Sequence, residues 1–268
     1  MTHQLADVWA AGDAYEPYIG RWSRVVAREF LAWLGDTPVS TCVDVGCGTG
    51  ALTQTILATH HGTRVNAIDA SFGFVSYARA HTADTRATFT VADARSLPFA
   101  SEHADAAVSA LVLNFVPNPA TALSEMTRVV RRGGIVATYL WDYAEGMEAI
   151  RRFWDAAIEL HAAAAELDEA RRFPLCEPTA LASLWSSAGL ESVESRAIEI
   201  PTRFASFDDY WTPFLGGQGP APSFVNTLGE RDREQLRNHL RASLPSDAGG
   251  AITLGARAWA VRGVRATT

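Results

Sequence analysis

Across residues 41–141 the chain alternates short β-branched, apolar runs with longer stretches whose apolar residues recur every three or four positions. The runs TCVDV (41–45), RVNAID (64–69), ATFTVA (87–92), ADAAVSA (104–110) and GIVATYLW (134–141) predict strands. Helical periodicity falls on 51–59, 72–81 and 119–131, with Gly133 and Gly134 closing the last. Strands and crossover helices in this alternation predict a parallel, doubly wound α/β core.

Outside that core the pattern changes. Residues 15–34 read as a helix with aromatic and apolar residues on one face and arginines at intervals, 147–167 as a long alanine-rich helix, and 177–188 as a shorter one stopped by Gly189. Residues 190–201 and 251–264 alternate polar with apolar positions and suit an antiparallel strand pair. Between them, 202–250 carries FDDYWTPFLGGQGPAP and a charged helix near 230–244. An insertion of this length with this many aromatics is expected to be a cover over a site, with its glycine-rich stretch as a hinge, the alternative being an apolar patch that pairs two subunits. The expected division is an N-terminal lid helix (1–36), a core (37–145), a helical segment (146–188) and a C-terminal strand pair with its insertion (189–268, 202–250).

Composition narrows the function. The chain has 268 residues and a net charge of -7, and no basic run tracks a phosphate backbone, so small molecules rather than nucleic acid are the expected partners. No apolar run approaches the roughly eighteen residues of a membrane span. The first thirty residues carry acids and a proline in place of a basic, apolar leader, and a cytoplasmic monomer or homodimer is expected. Cys42, Cys47 and Cys176 lack the spacing of a disulfide framework or zinc site, so no metal is expected. All 23 basic residues are arginine. Without lysine there is no Schiff base, no pyridoxal phosphate attachment and no Walker-type phosphate lysine.

The chemistry concentrates at VDVGCGTG, residues 43–50, where a strand gives way to a helix. Gly46, Gly48 and Gly50 allow a sharp turn and a close backbone approach to a ligand. Asp44 precedes the turn, and Asp69 closes the second strand about twenty residues later, where a carboxylate accepts from ribose hydroxyls. The GxGxG spacing, in place of GxGxxG, suits a nucleoside without a pyrophosphate. In order, VDVGCGTG, AIDAS, VADARSLPF, ALVLNFVPNP and RVVRRGG resemble the motifs of class I S-adenosylmethionine-dependent methyltransferases, in particular the small-molecule branch with the ubiquinone and menaquinone methyltransferases.

That resemblance, over about residues 15–142, implies a Rossmann-like, mostly parallel seven-stranded sheet with an antiparallel final strand and a helical cap. It implies S-adenosylmethionine as cofactor. Asp44 would serve the methionine amino end, Gly46, Gly48 and Gly50 would pass beneath the cofactor, and Asp69 would hold the ribose. Ala70 and Phe72 would border the adenine, Asp93 and Ala94 would meet its amine, and the Ala110 carbonyl would face the amino group. YEPYIGRWSR resembles the branch's lid helix, in which Tyr18 would face the sulfonium and Arg21 the carboxylate.

For the acceptor, aromatic walls stabilise a cationic sulfonium, and Tyr15, Trp22, Trp141, Tyr143, Phe207, Tyr210, Trp211 and Phe214 are the candidates. Asn114 and Asp142, at strand ends, are the candidate catalytic groups beside Tyr18. The expected reaction is C-, O- or N-methylation of a hydrophobic or aromatic metabolite. An NAD-dependent oxidoreductase would share the turn and Asp69, but GxGxxG and any Tyr-x-x-x-Lys pair are missing. A non-catalytic S-adenosylmethionine-binding protein is the other alternative. The aromatic base-flipping signature is absent, because Asn118–Pro119 is followed by alanine, and so is the paired-glutamate loop of protein arginine methyltransferases.

Overall fold

A computed structural model describes residues 15–35, 39–216 and 219–267. Part of the expected lid (1–14 and residue 36), and Gly217 and Gln218 of the expected hinge, lie outside the described residues. Seven strands, β1 (Thr41–Val45), β2 (Arg64–Asp69), β3 (Ala87–Val91), β4 (Ala104–Ala110), β5 (Val130–Trp141), β6 (Leu190–Phe204) and β7 (Ile252–Arg265), form one sheet ordered β3-β2-β1-β4-β5-β7-β6. Strands β1 to β5 pair in parallel, while β7 runs antiparallel to both β5 and β6. The expected fold class is the one observed. Central strands β1 and β4 bury Val43, Val45, Ala107 and Val108, the near-continuous apolar run that a sheet covered on both faces requires. Strand order reverses between β1 and β4, and such a reversal opens a crevice at the strands' C-terminal ends.

The flanking helices are α1 (Arg21–Leu34), entered through a π-turn at Glu16–Gly20, then α2 (Ala51–Thr59), α3 (Phe72–Ala80) and α4 (Pro119–Val129). Helix α1 buries Ser23, Val26, Ala27, Phe30 and Leu31, one stripe at helical spacing. Local chemistry sets the starts of the next two crossovers: Ser71 Oγ accepts from the Phe74 amide at α3, and Asn118 caps α4 ahead of a proline at its first position.

Two expected elements differ. The helix expected over 119–131 ends at Val129, because Val130 pairs with Ala104 and opens β5; the ladder then jumps to Ala106↔Ile135, so Arg131–Arg132–Gly133–Gly134 is a bulge within a strand. The helix expected over 147–167 stops at Leu160: α5 (Glu148–Leu160) gives way to an extended His161 and a 3₁₀ turn, Ala162–Glu166, before α6 (Glu169–Arg172). Helix propensity loses here to tertiary pairing. The turn brings Asp168 back onto α5, where Arg151 holds both its oxygens at 2.9 and 2.8 Å, and brings Glu169 onto Trp154 Nε1.

After α7 (Pro178–Ser187) and β6, the insertion folds as α8 (Phe207–Trp211), a 3₁₀ turn (Thr212–Gly216), α9 (Pro220–Thr227) and α10 (Glu230–Ser243). It is bolted to α5: the Tyr210 hydroxyl donates to the Ala149 carbonyl at 2.9 Å, and the Phe214 ring stacks on Phe153 at 4.6 Å. None of the described helices is long and apolar enough to cross a membrane.

Glu169 is fully buried, and burial lifts its carboxyl from an ordinary value of 4.5 to about 8, against hydrogen bonds that lower it. The native state therefore keeps this proton to about pH 8, while the unfolded chain sheds it near pH 4.5. Stability falls as pH rises through that window, by up to about 1.4 kcal/mol per unit, and levels off above it. Glu169→Gln keeps an acceptor for Trp154 and is expected to flatten this decline in thermal unfolding from pH 5 to 9. An unchanged slope would overturn the assignment.

Candidate functional site

The turn after β1 is fixed from below by β2. Amides of Gly46 and Cys47 both donate to the Ile68 carbonyl at 2.8 Å, and the Gly48 amide donates to Asp69 Oδ2 at 2.9 Å. Asp69 Oδ1 accepts from the Ser71 amide at 2.8 Å, so this carboxylate joins the glycine turn to the start of α3. Gly46 and Gly48 have φ of 75° and 52°, the left-handed region that favours glycine. Their surroundings differ: a β-carbon on Gly46 would collide with the Val112 side chain, whereas one on Gly48 would meet nothing within 4 Å. Gly46 packs the turn against the loop after β4, and Gly48 presents bare backbone to open space.

That space is a cavity of about 350 Å³ over the C-terminal ends of the strands, within the usual range for a small-molecule site. Of the residues expected to bind cofactor, Gly46, Gly48, Asp69, Ala70, Asp93, Ala94 and Ala110 line it. Tyr15, Trp141 and Tyr143, expected at the acceptor, line it as well.

The electrostatics separate two ends. Burial pushes Asp69 up from the usual carboxylate range, opposed by the Ser71 and Gly48 amides. Asp93 is held below its usual value by hydrogen bonds from Arg95, whose guanidinium and amide occupy both carboxylate oxygens at 2.7–3.2 Å. Arg95 is the one cationic side chain among the described lining residues, and it is spent on Asp93. Among the described lining residues no cation remains free to pair with a phosphate. Toward β5 and the loop after β4 the wall is uncharged: Leu111, Val112, Phe115, Val116, Tyr139 and Trp141. Burial pushes the Tyr15 phenol up to about 12 and those of Tyr139 and Tyr143 well above the ordinary value, so these walls stay neutral.

Other expected site residues lie elsewhere. Asp44 is wholly buried beneath the turn, with Oδ2 accepting from Thr53 Oγ1 at 2.6 Å and Oδ1 without a partner; burial raises its pKa to about 7. Gly50 caps α2 behind the cavity wall. Phe72, expected beside adenine, is 74% exposed because the start of α3 turns its side chain outward. Asp142, a candidate base, is buried in an ion pair with Arg257 at 2.6 Å and accepts from the Ala144 and Glu145 amides, which makes it a cap for the turn after β5. Asn114 sits half-buried on a 3₁₀ turn, off the cavity, with Nδ2 unpartnered.

The insertion's aromatics are likewise displaced from the acceptor role expected of them. Tyr210, Trp211 and Phe214 are buried in a cluster with Phe153 and Phe207, and Tyr18 meets that cluster edge-on through Phe214 at 5.4 Å. Trp22 packs on Phe204 at 5.7 Å, and Arg21 pairs with Asp209 at 2.8 Å. Lining residues that sequence reasoning passed over had readable signals. Tyr139 lies two positions before Trp141 on one strand face, Ile19 and Ser23 follow Tyr15 at helical spacing, and Phe115 to Pro117 belong to the motif ALVLNFVPNP.

Residues 43–138 match the family model described as a methyltransferase domain. A malonyl-(acyl-carrier protein) O-methyltransferase of Hahella chejuensis is 33% identical over 165 residues, 57% of this chain and 59% of that protein. The 2-methyl-6-phytyl-1,4-hydroquinone methyltransferase of Synechocystis is 33% identical over 122 residues, 45% of this chain and 38% of that protein. The chain thus spans about half the length of the curated relatives it matches. Phosphoethanolamine N-methyltransferase 2 of Haemonchus contortus, solved with S-adenosyl-L-methionine, shares the fold at a TM-score of 0.60 and 16% identity, over 95% of this chain and 56% of that one.

The two glycines are expected to respond differently to substitution. Gly48→Ala incurs only left-handed strain of about 1–2 kcal/mol, while Gly46→Ala adds overpacking against Val112 of about 1–3 kcal/mol. Denaturant unfolding of the two variants checks this, and equal losses would contradict the packing role given to Gly46.

Proposed function

We propose that this chain is an S-adenosylmethionine-dependent methyltransferase whose acceptor is a small, uncharged and largely apolar molecule. The observation that carries the reading is the pairing of Gly48 with Asp69. Bare backbone and a desolvated carboxylate face one cavity, with no unpaired cation on its described wall. A nucleoside without phosphates fits this donor and acceptor set, and the GxGxG spacing favours it over a dinucleotide.

When bound, the cofactor supplies an electrophilic methyl group. The residues of this chain do the rest: Asp69 takes the ribose hydroxyls, the Gly46–Gly48 turn supports the ligand from below, and Ala94 and Ala110 border its purine and amino ends. Tyr15, Trp141 and Tyr143 close the acceptor end, exclude water and hold the acceptor in line. In this reading the segment around Tyr15 to Ser23 is the cover of the site, and β1 to β5 with their crossovers are its base.

Two relatives pull the acceptor in different directions. A malonyl thioester carries a carboxylate and a phytyl hydroquinone does not. The uncharged wall of Leu111, Val112, Phe115 and Tyr139 favours an acceptor of the second kind, because a carboxylate buried there would lack a cationic partner. Calorimetry should show micromolar binding of S-adenosylhomocysteine and none of NAD. Asp69→Ala should weaken the former by about 10- to 100-fold, the worth of charge-assisted hydrogen bonds of roughly 1.5–3 kcal/mol. Turnover, read as S-adenosylhomocysteine release, is expected with neutral phenols or hydroquinones and not with their carboxylated analogues. Preference for NAD, or for the carboxylates, would overturn the reading.

A further inference from the structure

The N-terminal segment has two working faces. Tyr15, Ile19 and Ser23, four residues apart, line the cavity, and the Tyr15 hydroxyl and Ser23 Oγ are 3.2 Å apart. Tyr18, Arg21 and Trp22 face the C-terminal part of the chain, against Phe214, Asp209 and Phe204. Whatever fixes the second face fixes the first.

Arg21 is the centre of that second face. Its guanidinium lies 4.7 Å from the ring centres of both Trp22 and Phe204, and Nη1 donates to Asp209 Oδ1 at 2.8 Å. Among the described residues Nε and Nη2 are buried without hydrogen-bond partners, and Asp209 is the one carboxylate paired with this partly buried charge. Asp209 is itself held rigidly: Oδ2 accepts from the Ala205 amide at 2.8 Å, and its own amide donates to Ser206 Oγ at 3.2 Å. Helix α8, which carries it, is anchored to α5 through Tyr210. The segment's other tie runs to the core, with Arg24 bridging Glu16 at 2.8 Å and Gln54 of α2 at 3.3 Å.

We propose that Asp209 is a positioning residue for the cofactor site: it grips Arg21 and so holds Tyr15, Ile19 and Ser23 against the cavity. The insertion then serves binding without touching the ligand. A partly buried pair clasped between two rings resists water and salt far better than an exposed one, for which coupling is commonly near zero. The proposal rests on reading the cavity as the S-adenosylmethionine site.

The test is a double-mutant cycle on S-adenosylhomocysteine affinity, measured by calorimetry on the full chain. Its members are wild type, Arg21→Met, Asp209→Asn and the double variant. Asp209→Asn retains an oxygen for the Ala205 amide, and Arg21→Met perturbs the tie from the other element, so local misfolding of α8 alone cannot produce the pattern. Each single change is expected to weaken binding about 10-fold, and the double change no further, because both remove the same tie. Amide exchange across residues 15–24 should quicken equally in all three variants. Losses that multiply toward 100-fold, or an Asp209→Asn variant that binds like wild type, would overturn the proposal. Failure of the wild type itself to bind would instead overturn the cofactor reading, and with it the role given to Asp209.

Discussion

The glycine turn after β1 and the helix start after β2 meet at one carboxylate. Asp69 accepts from the Gly48 amide on one oxygen and the Ser71 amide on the other, while the carbonyl of its neighbour Ile68 takes the amides of Gly46 and Cys47. Four amides of two loops are thereby fixed with no ligand taking part. Burial disfavours the ionised carboxylate and raises its pKa, while the two amides oppose that shift. Preorganisation of this kind lowers the ordering cost of binding. It also explains why the strand reversal matters: only adjacent parallel strands ending at one level bring Asp69 to the turn, and the register Val45↔Ile68 sets that level.

Everything above the sheet is organised by aromatic packing. Phe153 of α5 stacks on Phe214, which receives Tyr18 edge-on, and Phe204 at the end of β6 takes Trp22. The aromatic richness of the insertion therefore packs a cap onto α5, continuous with the buried apolar core of the sheet. Its influence on the cavity passes through the N-terminal segment, whose helical spacing sorts cavity-facing from cap-facing side chains. Long insertions carry function when a scaffold holds them, and here the scaffold is α5 and the β6–β7 pair.

Much of this was legible from residue pattern. Strand runs of period two and helices with recognisable caps located the five core strands, and the order of motifs located the cavity, because both are written in local residue patterns. Longer-range outcomes were not legible. Val130 begins a strand because Ala104 pairs with it, and the alanine-rich stretch after α5 breaks at His161 because Arg151 and Trp154 capture Asp168 and Glu169. Sequence spacing placed Asp142 at a strand end but could not show Arg257, 115 residues away, waiting to pair with it. The same holds for Arg21 and Asp209, 188 residues apart. For side chains that carry charge, the partner decides the role, and the partner is the part a linear pattern does not contain.

On the proposed reading, the acceptor end sets the chemistry by what its walls can do. Burial pushes the Tyr15 phenol up to about 12 and those of Tyr139 and Tyr143 well above the ordinary value, so none is a base near neutrality. Asp142, the expected alternative, is committed to Arg257, and Asp69 and Asp93 belong to the cofactor end. A wall without a base suits an acceptor that attacks without first losing a proton, such as a neutral amine or the electron-rich ring carbon of a hydroquinone, the proton passing to solvent after transfer. The same wall suits a sulfonium, since neutral aromatic faces attract a cation without competing for the methyl group. Rate enhancement in such a site comes from alignment and the exclusion of water. That places the demand on how firmly the N-terminal segment is held, and so on contacts far from the reacting atoms.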